Sequence, residues 1–124
     1  MKDKRRILVV DDDPAVTEMM ARALVRRGYQ VVATDSADEA LAGCAAQPCD
    51  AAVLDLVMPE CDGIDLARAL RAQAPGMPIA ILTGYVHSPL LVENERPRLA
   101  VFKKPVVIQD VVDFLSGELG QPDE

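Results

Sequence analysis

The chain has 124 residues, half hydrophobic and about a quarter charged, which fits one soluble globular unit with a single substantial core. A net charge of −7 argues against nucleic-acid binding, which calls for a basic footprint, and the cluster Lys2, Lys4, Arg5 and Arg6 reads as a solvated flank. No apolar run approaches the roughly 20 residues of a membrane span and no signal-peptide core follows Met1, so the expected location is the cytoplasm.

In chain order, Arg6 to Val10 (RILVV) is a continuous apolar run, as expected of a strand covered on both faces. It ends in Asp11, Asp12 and Asp13, with Pro14 next. Asp13 is a good helix N-cap and Pro14 a good first helical residue. Val16, Met19, Met20, Ala23 and Leu24 recur at helical spacing, and Arg26, Arg27 and Gly28 supply the stop. Gln30 to Ala33 reads as a short second strand. Ser36 with Glu39 forms an S-x-x-E capping pattern before a helix whose apolar face is Ala37, Ala40, Leu41, Cys44 and Ala45.

The stretch Ala51 to Asp65 (AAVLDLVMPECDGID) carries a third strand into Asp55 and then a turn at Pro59, Cys61, Asp62 and Gly63. A helix from about Gly63 to Gln73 follows, burying Ile64, Ala67 and Leu70, and Pro75-Gly76 closes it. Pro78 to Leu82 is a fourth, fully apolar strand ending at Thr83-Gly84. Ser88 and Pro89 signal a helix that Pro97 limits to about two turns. Leu99 to Phe102 is a fifth strand, ending at Lys103, Lys104 and Pro105. Val111, Val112, Leu115 and Leu119 mark a last helix, starting near Val107 without a polar cap; the folded core is expected over about 5–119. Cys44, Cys49 and Cys61 contain no C-x-x-C pair and lie far from the one histidine, His87, so reduced packing thiols are expected and not a zinc site.

Five short apolar strands alternating with five helices imply an α/β fold: a parallel sheet with helices on both faces. Ligands of such sheets bind outside the C-terminal strand ends. Those ends carry Asp11 and Asp12, Asp55, Thr83 and Lys104. An acid closing a buried strand is costly to desolvate and rarely lacks a partner or a task. Carboxylates within about 4 Å would repel by roughly 4 kcal/mol per pair at an effective dielectric of 20, so the cluster calls for a hard divalent cation. Each residue alone has an ordinary reading, as a helix cap, turn residue or solvated edge. Four such groups at four different strand ends make chance a poor account.

Over nearly its whole length the chain resembles the receiver domain of bacterial two-component response regulators. ILVVDDDP resembles that family's first-strand acidic motif, DLVMPECDG its phosphoacceptor motif, ILTG its Thr/Ser strand end and KKP its Lys-Pro motif. The resemblance implies a flavodoxin-like doubly wound sheet of strand order 2-1-3-4-5, an order carried over from the family. It implies that Asp55 accepts a phosphoryl group from a phosphohistidine on a sensor histidine kinase or histidine phosphotransfer protein. Asp12, Asp55 and the backbone carbonyl of Val57 would hold Mg²⁺, with Asp11 acting through water. Lys104 and Thr83 would bind the phosphoryl oxygens, and the Lys104–Pro105 bond would be cis. The activity implied is signalling, at most with self-catalysed phosphotransfer and dephosphorylation.

The chain departs from the family in two places. The family's switch aromatic, three residues before the Lys, is replaced by Val101, and Phe102 should face the other way because strand side chains alternate. Tyr85 is read as a partial shield of the site. The segment Tyr85 to Arg98 is expected to be the least ordered folded part, on a face that family members use for dimerisation or output; a homodimer is therefore one expected partner state. No output domain is expected after Leu119, which fits either a stand-alone carrier or a receiver cut from a larger regulator or hybrid kinase. Two alternatives stay open: a haloacid-dehalogenase-like phosphatase with Asp11 as nucleophile and Asp13 as acid, and a receiver-like scaffold that is never phosphorylated.

Overall fold

The structure is a computed structural model that describes residues 5–58, 62–84 and 99–119. Its strands are β1 (Arg6–Val10), β2 (Gln30–Thr34), β3 (Ala51–Asp55), β4 (Ile79–Thr83) and β5 (Leu99–Lys103). Its helices are α1 (Pro14–Arg26), α2 (Ala37–Ala46), α3 (Gly63–Gln73) and α4 (Ile108–Leu119). Strand and helix ends agree with the sequence reading to within a residue. The short helix expected after Ser88 lies outside the described residues, as do Tyr85 and the whole segment to Arg98.

All neighbouring strands pair in parallel, in the order β2-β1-β3-β4-β5. The order reverses between β1 and β3, so a crevice opens at their carboxyl ends. The two apolar faces of the sheet are separate cores, as strand alternation requires. Leu8, Val10, Ala52, Leu54, Ile79 and Ile81 meet α2 and α3 on one face. Ile7, Val9, Val53, Ala80 and Leu82 meet α1 and α4 on the other. Phe102 packs on this second face, edge-on to Phe114 with ring centroids 6.0 Å apart, so it does point away from Val101 as expected.

The helix starts follow local chemistry. Asp13 accepts the Ala15 N–H at 3.0 Å, with Pro14 opening α1, and Gly28 at φ 99° ends the turn beyond it. Ser36 caps α2 through the Glu39 N–H at 3.2 Å. The return half of that capping box is different from the expectation. The Thr34 hydroxyl stands between the partners, accepting the Ser36 N–H at 3.1 Å and donating to Glu39 Oε1 at 2.8 Å. A hydroxyl two residues upstream therefore takes the donor that Glu39 would have satisfied. Asp62 caps α3 through the Asp65 N–H at 2.8 Å.

Cys44 and Cys49 are buried and not in a disulfide. Burial, helped by the adjoining Cys49 thiol, pushes the Cys44 thiol up to about 12, so it stays protonated and inert at neutral pH. No helix among the described residues is long and apolar enough to cross a membrane.

Gly43, inside α2, has open space where a Cβ would stand. Gly43→Ala should therefore raise stability by about 0.5–1 kcal/mol. Leu54→Ala, in the fully buried β3, should lower it by about 2–5 kcal/mol. Urea denaturation of both variants checks the pair.

Candidate functional site

The turn after β1 divides three consecutive acids between different tasks. Asp13 turns its carboxylate into the α1 cap and stays out of the cluster. Asp11 is 1% exposed, its N–H donates to the Thr34 carbonyl at 3.3 Å, and its Oδ1 accepts the Asp13 N–H at 2.9 Å. Its other oxygen, Oδ2, is buried with no hydrogen-bond partner. Asp12 lies beside it with its side chain exposed.

Strand β3 is buried along its length and delivers Asp55 to the same edge, 4% exposed. One oxygen from each of Asp11, Asp12 and Asp55 can lie within 4.8 Å of the others. Lys104, just past β5, sends its ammonium across the end of β4 to this cluster. Its Nζ stands 3.2 Å from Asp55 Oδ1 and 3.6 Å from Asp11 Oδ2. The Lys104–Pro105 bond is cis, and the Lys104 N–H donates to the Thr83 carbonyl at 2.8 Å. Thr83, buried at the end of β4, is thereby tied through the backbone to the residue that carries the ammonium.

The electrostatics follow from this packing. Burial pushes the Asp11 carboxyl up to about 6; the Asp13 N–H opposes the rise, Asp55 and Asp12 add to it, and Lys104 counters it. Lys104 itself is held above its usual value, because the attraction of Asp11 and Asp55 outweighs the cost of its burial. One ammonium faces three acids, which leaves excess negative charge. Asp11 Oδ2 is buried and accepts no hydrogen bond, with only the Lys104 ammonium, 3.6 Å away, to offset its charge. A set made only of carboxylate oxygens suits a hard divalent metal ion.

Comparison with known proteins agrees with this geometry. The response regulator receiver domain matches residues 7–114. The chain belongs to that family. It is 46% identical over 78 residues to the response regulator MprA of Mycolicibacterium vanbaalenii, covering 63% of this chain and 34% of that protein. It is 36% identical over 77 residues to the probable transcriptional regulatory protein TcrX of Mycobacterium tuberculosis, covering 62% and 33%. The chain thus spans about a third of the length of the curated relatives it matches. Among solved structures, a CheY-like receiver domain protein from Methanospirillum hungatei superposes with a TM-score of 0.86 at 28% identity, covering 98% of both chains. The receiver domain of the hybrid histidine kinase CckA gives 0.77 at 28% identity, over 92% of this chain and 98% of that one.

As a receiver domain of a two-component response regulator, the chain is a signalling module, with an acidic pocket formed by Asp11, Asp12 and Asp55. The structure brings those three and Lys104 together. Thr83 sits at the same edge in register with Lys103, next to the Leu82–Asp55 pair. Val57 follows Asp55 with its side chain 60% exposed, and its N–H reaches Asp55 Oδ1 at a long 3.4 Å. The phosphatase alternative fails on Asp13, which is committed to the helix cap, and on the family match. Sequence reasoning missed Thr34 and Gly63. The Asp62-Gly63 pair was visible only as a turn signal, and nothing local marked Thr34 as the acceptor for the Asp11 backbone.

The raised Asp11 pKa sets a sign for the metal-free protein. A carboxyl whose folded pKa exceeds its unfolded value of 3.8 destabilises the fold above about pH 6, and that penalty vanishes below the unfolded value. In EDTA, Asp11→Asn should therefore be more stable than the parent at pH 7.5, by on the order of 1–3 kcal/mol. The advantage should shrink to nothing as the pH falls towards 4, as read by urea denaturation at each pH.

Proposed function

We propose that this receiver is the phosphoacceptor of a two-component phosphorelay, with Asp55 taking the phosphoryl group from a phosphohistidine in the presence of Mg²⁺. The donor would be a sensor histidine kinase or a histidine phosphotransfer protein. The observation that carries the reading is the Lys104 ammonium, 3.2 Å from the Asp55 carboxylate inside a cluster of three acids. Asp55 is the acid that Lys104 approaches most closely, at the end of a fully buried strand.

Asp12, Asp55 and the Val57 carbonyl would hold the metal ion, with Asp11 acting through water. When bound, Mg²⁺ neutralises the crowded carboxylates and the oxygens of the incoming phosphoryl group. The protein's own groups do the rest by position. Asp55 attacks phosphorus through a carboxylate oxygen while the leaving imidazole departs. Lys104 then pairs with a phosphoryl oxygen, and the Thr83 hydroxyl donates to another. Phosphoryl transfer depends mainly on such placement and charge compensation, which a rigid strand edge supplies.

Incubation with acetyl phosphate and Mg²⁺ should add one phosphoryl group, read by mass spectrometry. The gain should vanish in Asp55→Asn and in EDTA, and persist in Asp13→Ala. Labelling that survives in Asp55→Asn would sink the assignment, and a folded protein that takes no label from any donor would leave only the scaffold reading.

A further inference from the structure

The glycine that opens α3 is not explained by backbone conformation. Among the described residues the positive-φ glycines are Gly28 and Gly76, and Gly63 is not one of them. Glycine is also among the poorest helix formers, so its place at the first helical position needs another cause. That cause is space. A Cβ at position 63 would overlap the Asp55 carbonyl oxygen and stand 3.0 Å from Leu56 Cα and 3.1 Å from the Asp55 carbonyl carbon. Gly43, Gly84 and Gly117 have nothing within 4 Å of the same point.

All three obstructing atoms are backbone, so no side-chain rotation relieves the overlap. Two further ties join the same segments. The Gly63 N–H donates to the Leu56 carbonyl at 2.6 Å, and Val57 forms an isolated antiparallel bridge with Asp62. Leu56 is in turn held by its N–H to the Leu82 carbonyl at 2.8 Å. We propose that Gly63 is a positioning residue for the chemistry at Asp55: its bare backbone lets α3 rest directly on residues 55 and 56, and that seat sets where the Asp55 carboxylate and the Val57 carbonyl stand.

The location of the yielding part makes this specific. Helix α3 is anchored by buried Ile64, Leu66, Ala67 and Leu70, and Arg71 donates from Nε and Nη2 to the Met77 carbonyl at 3.2 and 3.1 Å. Strand β3 is locked between β1 and β4. Neither body can move as a whole without breaking core contacts, so an added methyl pushes on the end of β3 and on the residues just after it, Leu56 and Val57. Val57 carries the carbonyl proposed as a metal ligand. Mg²⁺ demands near-octahedral ligands at about 2.0–2.1 Å, and a misplacement of about 1 Å can slow a reaction about 100-fold. A small shift there is therefore expressed as lost binding before it is expressed as lost structure.

The inference rests on the proposed Mg²⁺-dependent phosphoacceptor role, and the experiment separates the two. Gly63→Ala is made in the full chain carrying Gly43→Ala, whose helix-favouring effect supports folding. At a temperature where circular dichroism shows a native spectrum, calorimetry should find Mg²⁺ affinity weakened at least about tenfold, and acetyl phosphate labelling about 10- to 100-fold slower. Gly63→Ser should behave the same way, since the offending atom is the Cβ. Leu70→Ala, which weakens the α3 anchor away from Leu56 and Val57, should lower the melting temperature but keep Mg²⁺ affinity within about twofold. A folded Gly63→Ala protein with unaltered Mg²⁺ affinity would overturn the proposal. An independent reading needs no variant: on Mg²⁺ titration of the parent protein, the Gly63 amide resonance should shift in step with those of Leu56 and Val57. A Gly63 amide that stays still while those move would also overturn it. A parent protein that neither binds Mg²⁺ nor takes label would instead refute the functional reading beneath.

Discussion

The ammonium of Lys104, placed between Asp55 and Asp11, is the contact on which the arrangement at the sheet edge depends. Two almost fully buried carboxylates from adjacent central strands repel, and burial alone disfavours ionisation of Asp11. A single cation reaching in from the end of an outer strand offsets part of that cost. It cannot offset all of it, because the charge count stays negative and one Asp11 oxygen keeps no hydrogen-bond partner. The fold thus carries a local deficit of positive charge that a divalent cation is suited to fill. A stable structure that stores an unmet demand at one edge is what a ligand-responsive module requires.

Parallelism makes this contact possible. Only when all strands run the same way do the carboxyl ends of β1, β3, β4 and β5 share an edge, and only the reversal of order between β1 and β3 opens a crevice there. The strands that carry the acids are the inner ones, covered on both faces. Lys104 follows β5, whose residues are partly exposed, and is itself about a third exposed. A long, flexible cation at the periphery thus meets short, rigid anions at the centre. The division suits their chemistry, because the desolvation cost falls on groups whose positions are most firmly fixed.

The way the helices meet this edge is equally constrained. Helix α1 takes Asp13 as its cap and so leaves Asp11 and Asp12 for the pocket. Helix α3 rests on the backbone of Asp55 itself, through a residue with no side chain. On the opposite face, Phe102 packs against Phe114, while Val101, where the family has its switch aromatic, is 36% exposed. The acidic pocket and the face around Val101 are therefore built by different residues.

The sequence by itself determined the strand and helix segments, the parallel architecture and the identity of the clustered side chains. Those properties are written in local signals: β-branched apolar runs, Asp-Pro and Ser-x-x-Glu starts, and acids, a threonine or a lysine at the ends of β1, β3, β4 and β5. The Asp13-Pro14 start already set Asp13 apart as a cap, but the sequence could not determine that the core would bury Asp11 while leaving Asp12 exposed. Nor could it show that Thr34 would intercept the Ser36 N–H, or that Gly63 is required for space, because both depend on atoms brought close by packing between separate segments. Asp62-Gly63 reads as an ordinary turn in one dimension. Only in three dimensions does the Asp55 carbonyl stand where a Cβ would have to go.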